Sequence, residues 1–256
     1  MKTTSINNLK GGVAKSITAI NIAHILNAKH GRRVLLVDND MQGNVSKFFN
    51  LHDEEAPSIT DVLTVKGYQI TDAIRHTSYD GLDIIPANMH LSAADKQILM
   101  DVSWMQQTRL KKALEQVADI YDYCIIDNAP SLSMSGINAL VACDDVIIPI
   151  KIDRFTFDGL NQLLSAIKDL QEHNPRLRVA GCLITMFDRT SVNMQGEEYL
   201  KSVNGLPVFS TVIRKTTKVD QTTFEGRPLL DYAPRSTATI DYIALVEEIL
   251  KGENAG

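Results

Sequence analysis

Short apolar runs rich in β-branched residues recur along this chain, and the stretches between them space their apolar residues as helices do. The runs fall at 33–38 (RVLLVD), 82–86 (LDIIP), 123–127 (YCIID), 146–150 (VIIPI) and 179–185 (VAGCLIT). Runs this short and this continuously apolar are expected of strands covered on both faces. A further strand is expected at 3–7. Residues 16–29 place Ile17, Ile20, Ala23 and Ile25 at near-helical spacing, and 108–118 do the same with Leu110, Ala113, Leu114 and Val117. Residues 160–172 carry Leu163, Leu164, Ile167 and Leu170, with Pro175 beyond their end, and 237–251 carry Ile240, Ile243, Ala244, Val246 and Ile249. These four stretches are predicted helices. Strand and helix alternate, so the expected fold class is α/β: a mostly parallel twisted sheet with helices on both faces. One domain is expected over 1–251, with 252–256 as a flexible tail. No internal repeat or low-complexity tract interrupts the pattern.

Composition narrows the class. Of 256 residues, 44% are hydrophobic and 22% charged, which is ordinary for a globular chain. A net charge of −5 means that any nucleic-acid contact must use a local basic patch. Cys124, Cys143 and Cys182 are odd in number, far apart and outside any C-x-x-C pair, so neither a disulfide framework nor a zinc site is expected. The amino-terminal residues lead almost directly into a glycine-containing loop, leaving no room for a signal peptide. No apolar run approaches the ~18 residues of a membrane span. The expectation is a soluble, cytoplasmic protein with no membrane partner.

In a sheet of this kind ligands collect at the carboxyl ends of the strands. Four features stand at predicted strand ends: the loop at 8–16, the pair Asp38 and Asp40, Asp127, and Thr185 with Met186. The loop reads NLKGGVAKS and precedes a helix that starts near Lys15. Taken alone, it could be a Gly-Gly turn capping that helix. It also forms an anion site, with backbone N–H groups and a helix dipole facing the ligand. Lys15 would reach the outer phosphates, and the Ser16 hydroxyl would ligate Mg²⁺. Asp38 and Asp40 project to one side of a strand exit and could order Mg²⁺-bound and nucleophilic water. An apolar strand ending in Asp127 suits an indirect Mg²⁺ contact.

The segment from Lys10 to Ser16 (KGGVAKS) resembles the deviant Walker A loop of the ParA/MinD class of P-loop ATPases, usually KGGVGKT. VLLVDNDMQGN is similar to the partitioning ATPases' VLLVDxDPQGN, with Met41 in place of proline, and Asp127, Pro130 and Ser131 fit their DxxPS. The resemblance runs from about residue 3 to about 250. It implies that ATP or ADP and Mg²⁺ are cofactors, and that Lys10, Lys15 and Asp40 are catalytic. Lys10 would reach across a homodimer into the partner's phosphate site, and Asp40 would position or activate water. Nucleotide would be held by Lys10, Gly11, Gly12, Val13, Ala14, Lys15, Ser16, Ile17, Met186 and Arg214. Ser16, with Asp38 and Asp127 acting through water, would hold the metal. Ala14 replaces the family glycine, and its methyl group is strained wherever the loop needs positive φ.

Residues 201–235 hold six basic residues against three acidic ones. Read by itself, this is a solvated loop carrying lysines for solubility. VIRKTTKV…FEGRPLLDYAPRS, however, resembles the matching Soj/ParA string, with Arg214 in place of a proline that flanks the adenine. MFDRT is similar to the family's MLDART. On that match Arg189 and Lys218, with Lys215 as a third, are the expected contacts to nonspecific double-stranded DNA. A ParB-like centromere-binding protein is the expected partner, and a nucleoid-associated location follows. Three other functions compete. A MinD-like membrane-cycling ATPase would end in an amphipathic helix, but this chain ends in KGENAG. A nitrogenase-iron-protein-like reductase needs two cysteines suitably placed at strand ends. A weakly hydrolysing nucleotide switch is the third.

Overall fold

The structure, a computed structural model, describes residues 1–153 and 156–254. In chain order the first half contains β1 (Lys2–Ile6), α1 (Lys15–His30), β2 (Val34–Asn39), α2 (Asn44–Phe48), α3 (Ile59–Thr64), α4 (Ile70–Ala73), β3 (Arg75–His76), β4 (Leu82–Ile85), α5 (Leu91–Met100) and α6 (Arg109–Glu115). The second half contains β5 (Tyr123–Asn128), α7 (Met134–Ala142), β6 (Asp145–Ile150), α8 (Thr156–Leu170), β7 (Arg178–Ile184), α9 (Ser191–Ser202), α10 (Thr217–Glu225), α11 (Leu229–Tyr232) and α12 (Thr237–Asn254).

The strands form one sheet in the order β3-β4-β2-β5-β1-β6-β7. Every neighbouring pair is parallel except β3 with β4. The near-continuous apolar runs follow from coverage of both faces. Val34 and Leu36 of β2, with Ile125 of β5, pack in one cluster with Ile20, Ile22 and Leu26 of α1 and Tyr242, Leu245 and Val246 of α12. The intervening Leu35 and Val37, with Cys124 and Ile126, enter a second cluster with Leu63 of α3, Ile98 of α5 and Leu110 and Leu114 of α6. A third cluster joins β6 and β7 to Leu163 and Ile167 of α8 and Leu200 of α9.

Several expectations are corrected. The two-residue antiparallel edge strand β3 shows no alternation long enough to read. Helices α2, α3, α4, α5, α7, α9, α10 and α11 lie in stretches where no helix was predicted. The basic stretch 201–235, which by itself reads as a solvated loop, carries α10 from Thr217 and α11 from Leu229. The last helix runs past 251 to Asn254, so residues 252–254 of the expected flexible tail are helical, while 255–256 lie outside the described residues. Among the described residues no helix is long and apolar enough to cross a membrane.

Candidate functional site

The loop between β1 and α1 is pinned before it turns. Asn8 donates from Nδ2 to the Pro149 carbonyl at 2.7 Å and accepts the Lys10 N–H on Oδ1 at 2.9 Å. Gly12 has φ 70° and Ala14 φ 66°, so the chain passes twice through the left-handed region before the helix begins. The methyl group of Ala14 therefore sits where glycine is favoured. Helix α1 starts without a side-chain cap and with no acidic residue in its first turn. Its first N–H groups and the positive end of its dipole are left for an anion. Lys15 folds back over the loop, donating from Nζ to the Lys10 carbonyl at 3.0 Å. Burial pushes the Lys15 ammonium below the usual amine range, while Asp127 and Asp40 oppose that shift.

The carboxylates stand at the exits of β2 and β5, where the register places Asp38 beside Asp127. Asp38 is fully buried. Its Oδ2 accepts the Ser46 N–H at 2.8 Å and the Ser46 hydroxyl at 2.7 Å, yet burial still raises its pKa to about 6. Asp127 is pushed well above the carboxylate range by burial first and then by Asp38, with Ser16, Lys15 and Asp40 close enough to act on its charge. Neither Asp127 oxygen has a hydrogen-bond partner. Two buried carboxylates beside a lysine and a serine, one of them unpartnered, fit a site that takes a hydrated divalent cation between protein and phosphate. Among the described residues no group of three or more His, Cys, Asp or Glu could hold a metal ion by itself.

A cavity of about 860 Å³ opens over this loop. Of the predicted nucleotide residues, Gly11, Gly12, Ala14, Lys15, Ser16, Ile17 and Met186 line it, as does Asp40. Met186 is itself left-handed, at φ 52°. Val13 is buried behind the loop, its carbonyl accepting the Thr185 hydroxyl at 3.1 Å. Besides Val13, two more of the predicted nucleotide residues are not brought to the lining. Lys10 stands at the loop's edge in an ion pair with Asp153. Arg214 closes a bidentate pair with Asp241 of α12, Nε to Oδ2 at 2.9 Å and Nη2 to Oδ1 at 2.7 Å. Other lining residues were not foreseen. They include Asn39 at the end of β2, Ser92 and Asp95 of α5, and Ser133 and Ser135 at the start of α7. The spacing of Leu91, Ala94 and Ile98 would have revealed α5, but nothing local places that helix over the loop.

Arg189, Lys215 and Lys218 are all exposed. Phe187 exchanges backbone hydrogen bonds with Ile213 and Lys215, so the segments carrying Arg189 and Lys215 run side by side. The three cysteines are buried and free, and burial raises each thiol, that of Cys182 to about 12.

A glycine-containing loop at a helix start, with a lysine and hydroxyl facing two aspartates on neighbouring parallel strands, defines a P-loop nucleotide-binding protein. Residues 1–179 match the family model described as an AAA domain. Over 250 residues the chain is 37% identical to the sporulation initiation inhibitor protein Soj of Bacillus subtilis, covering 97% of this chain and 98% of that protein. It is 34% identical over 260 residues to the chromosome partitioning protein ParA of Caulobacter vibrioides, covering 99% and 95%. The crystal structure of a cobyrinic acid a,c-diamide synthase from Mycobacterium smegmatis with bound ATP analogue and magnesium superposes with a TM-score of 0.86 at 30% identity, covering 100% and 97%. The chain belongs to this AAA-domain family and is an ATPase of the ParA/MinD class.

Proposed function

We propose that this chain, acting as one P-loop ATPase domain over 1–251, is a DNA-partitioning ATPase of the Soj/ParA kind. MgATP enters the cavity and closes a homodimer. The dimer binds nonspecific double-stranded DNA and so collects on the nucleoid in the cytoplasm. A ParB-like protein then stimulates hydrolysis and release. The observation that carries this reading is the convergence of Lys15, Ser16 and Asp40 on one cavity beside the unpartnered Asp127.

Each residue then has a physical task. Lys15 leaves the Lys10 carbonyl for the outer phosphates, where its charge offsets the polyanion. Lys10 exchanges Asp153 for the phosphates of the second copy. Ser16, with Asp38 and Asp127 through water, would hold Mg²⁺, which when bound neutralises charge developing on the transferred phosphoryl group. Asp40 orients the attacking water. Arg189, Lys215 and Lys218 contact DNA phosphates without reading sequence. Arg214 contributes backbone beside the base while its side chain stays with Asp241.

The test combines sizing with co-sedimentation on random duplex DNA. ATP is expected to yield a dimer that sediments with DNA, and Lys10→Ala should remain monomeric with ATP. Equal DNA binding in ADP and ATP would overturn the reading.

A further inference from the structure

Strands β2 and β5 both end in an aspartate followed by an asparagine, and their register sets Asn39 beside Asn128. Asn128 donates from Nδ2 to the Ser5 hydroxyl at 2.9 Å and to the Ile6 carbonyl at 3.1 Å. Its Oδ1 accepts from Asn39 Nδ2 at 3.0 Å. Asn39 Nδ2 also donates to the Ser135 carbonyl at 3.0 Å. Both Asn39 N–H groups are thus placed on oxygen acceptors. Turning the amide over would set oxygen against oxygen, so the network dictates its orientation. The remaining atom, Asn39 Oδ1, is buried and has no donor. A buried acceptor without a donor calls for an explanation, and at the edge of a cavity one such explanation is a bound water or ligand. Asn39 lines the cavity, and so does its neighbour Asp40. Asp40 spends Oδ1 on the Gln42 N–H at 2.9 Å, and no hydrogen bond occupies Oδ2 among the described residues.

We propose that Asn39 is a catalytic residue whose Oδ1 accepts a hydrogen bond from the water that attacks the terminal phosphate, while Asp40 takes that water's other O–H. The proposal rests on the reading that this cavity hydrolyses ATP. A water held through both of its protons presents a lone pair to phosphorus. Its oxygen bonds to the γ-phosphorus as the bond to the β–γ bridging oxygen breaks, and that electron pair departs with ADP. One water proton passes to Asp40 and then to phosphate or solvent. Asn39 takes no proton; it restricts the water's orientation, and misplacement of a reactant is costly in rate.

The test uses the full chain with duplex DNA present and compares Asn39→Ala, Asn128→Ala, Asp40→Ala and the Asn39→Ala/Asp40→Ala double variant. Asn39→Ser is made alongside, so that a folded variant is available if alanine is not tolerated, and is held to the same criteria. Single-turnover hydrolysis, affinity for a fluorescent ATP analogue, Mg²⁺ dependence and thermal melting are measured for each. Asn39→Ala should slow single turnover roughly tenfold, with nucleotide and Mg²⁺ affinities within about twofold of wild type. It should add nothing in the Asp40→Ala background, because both side chains act on one water. Asn128→Ala loosens the same network yet keeps the Asn39 acceptor, so it should slow the reaction less. An Asn39→Ala rate equal to wild type would overturn the proposal. So would an equal or greater loss in Asn128→Ala, or a loss of Mg²⁺ affinity with the saturated rate intact, which would assign the acceptor to a metal-bound water. If the wild type binds ATP and never turns it over, the hydrolysis reading itself fails and takes the proposal with it.

Discussion

At Ala14 the backbone holds φ 66° and ψ 32°, a conformation that costs an L-residue roughly 1–2 kcal/mol. Ala14→Gly should therefore stabilise the protein by about 1 kcal/mol. For a chain of this size that is a rise of roughly 2–4 °C in Tm, read by thermal melting. The substitution was visible as a departure from a motif, but its strain became certain only when φ was known. Asp38 supports a pH prediction. Its pKa of about 6 in the fold lies above the ordinary 3.8, so its ionised form is disfavoured by folding. Stability of the nucleotide-free protein from this group is greatest below about 3.8 and is lost as pH rises through about 6. Mg²⁺ held at the proposed site favours the ionised form, so MgATP binding should weaken as pH falls through about 6. Titrations between pH ~5 and ~8 that showed constant affinity would refute this.

Helix α1 joins the phosphate loop to the carboxy-terminal elements. Thr18 and Tyr242 share a hydroxyl–hydroxyl hydrogen bond at 3.0 Å, and Asn21 Oδ1 accepts the buried Leu229 N–H at 3.0 Å. Asn21→Ala leaves that N–H without an acceptor, a loss of about 1–3 kcal/mol. It should appear as a lower urea midpoint with an unchanged m-value. Helix α10 shows why some elements were hidden. Its sequence, TKVDQTTFE, is dominated by β-branched and polar residues with weak helix propensity. The helix is held instead at its ends. Thr216 caps the amino end by accepting the Lys218 N–H, and Gly226 ends the helix at φ 62°, where an added Cβ would lie 2.7 Å from the Phe48 carbonyl. That second constraint comes from a residue 178 positions away, which no local window contains.

For the whole molecule, the proposed DNA surface must overcome a net charge of −5 with a few exposed cations. Binding through phosphates alone releases counterions, so affinity should fall steeply with salt. Lys218→Ala should weaken binding uniformly across DNA sequences and reduce the slope of log affinity against log salt by about one. Filter binding at several salt concentrations measures this. A slope unchanged from wild type would remove Lys218 from the interface.

Apolar spacing foretold five of the sheet's seven strands, four of the helices that cover them and the parallel character of the sheet, because short buried runs must be shielded on both faces. The loop at 8–16 and the aspartates at 38, 40 and 127 were legible for the same reason: their chemistry sits at strand ends, and in a parallel sheet those ends share one edge. Tertiary structure decided the rest. It turned Arg214 onto Asp241, paired Lys10 with Asp153, carried α5 and the start of α7 across the loop, and left Asn39 Oδ1 without a donor. Each of these depends on atoms distant in sequence meeting in space. Hydrophobic periodicity reports which face of an element is buried; it carries no information about which polar partner waits there.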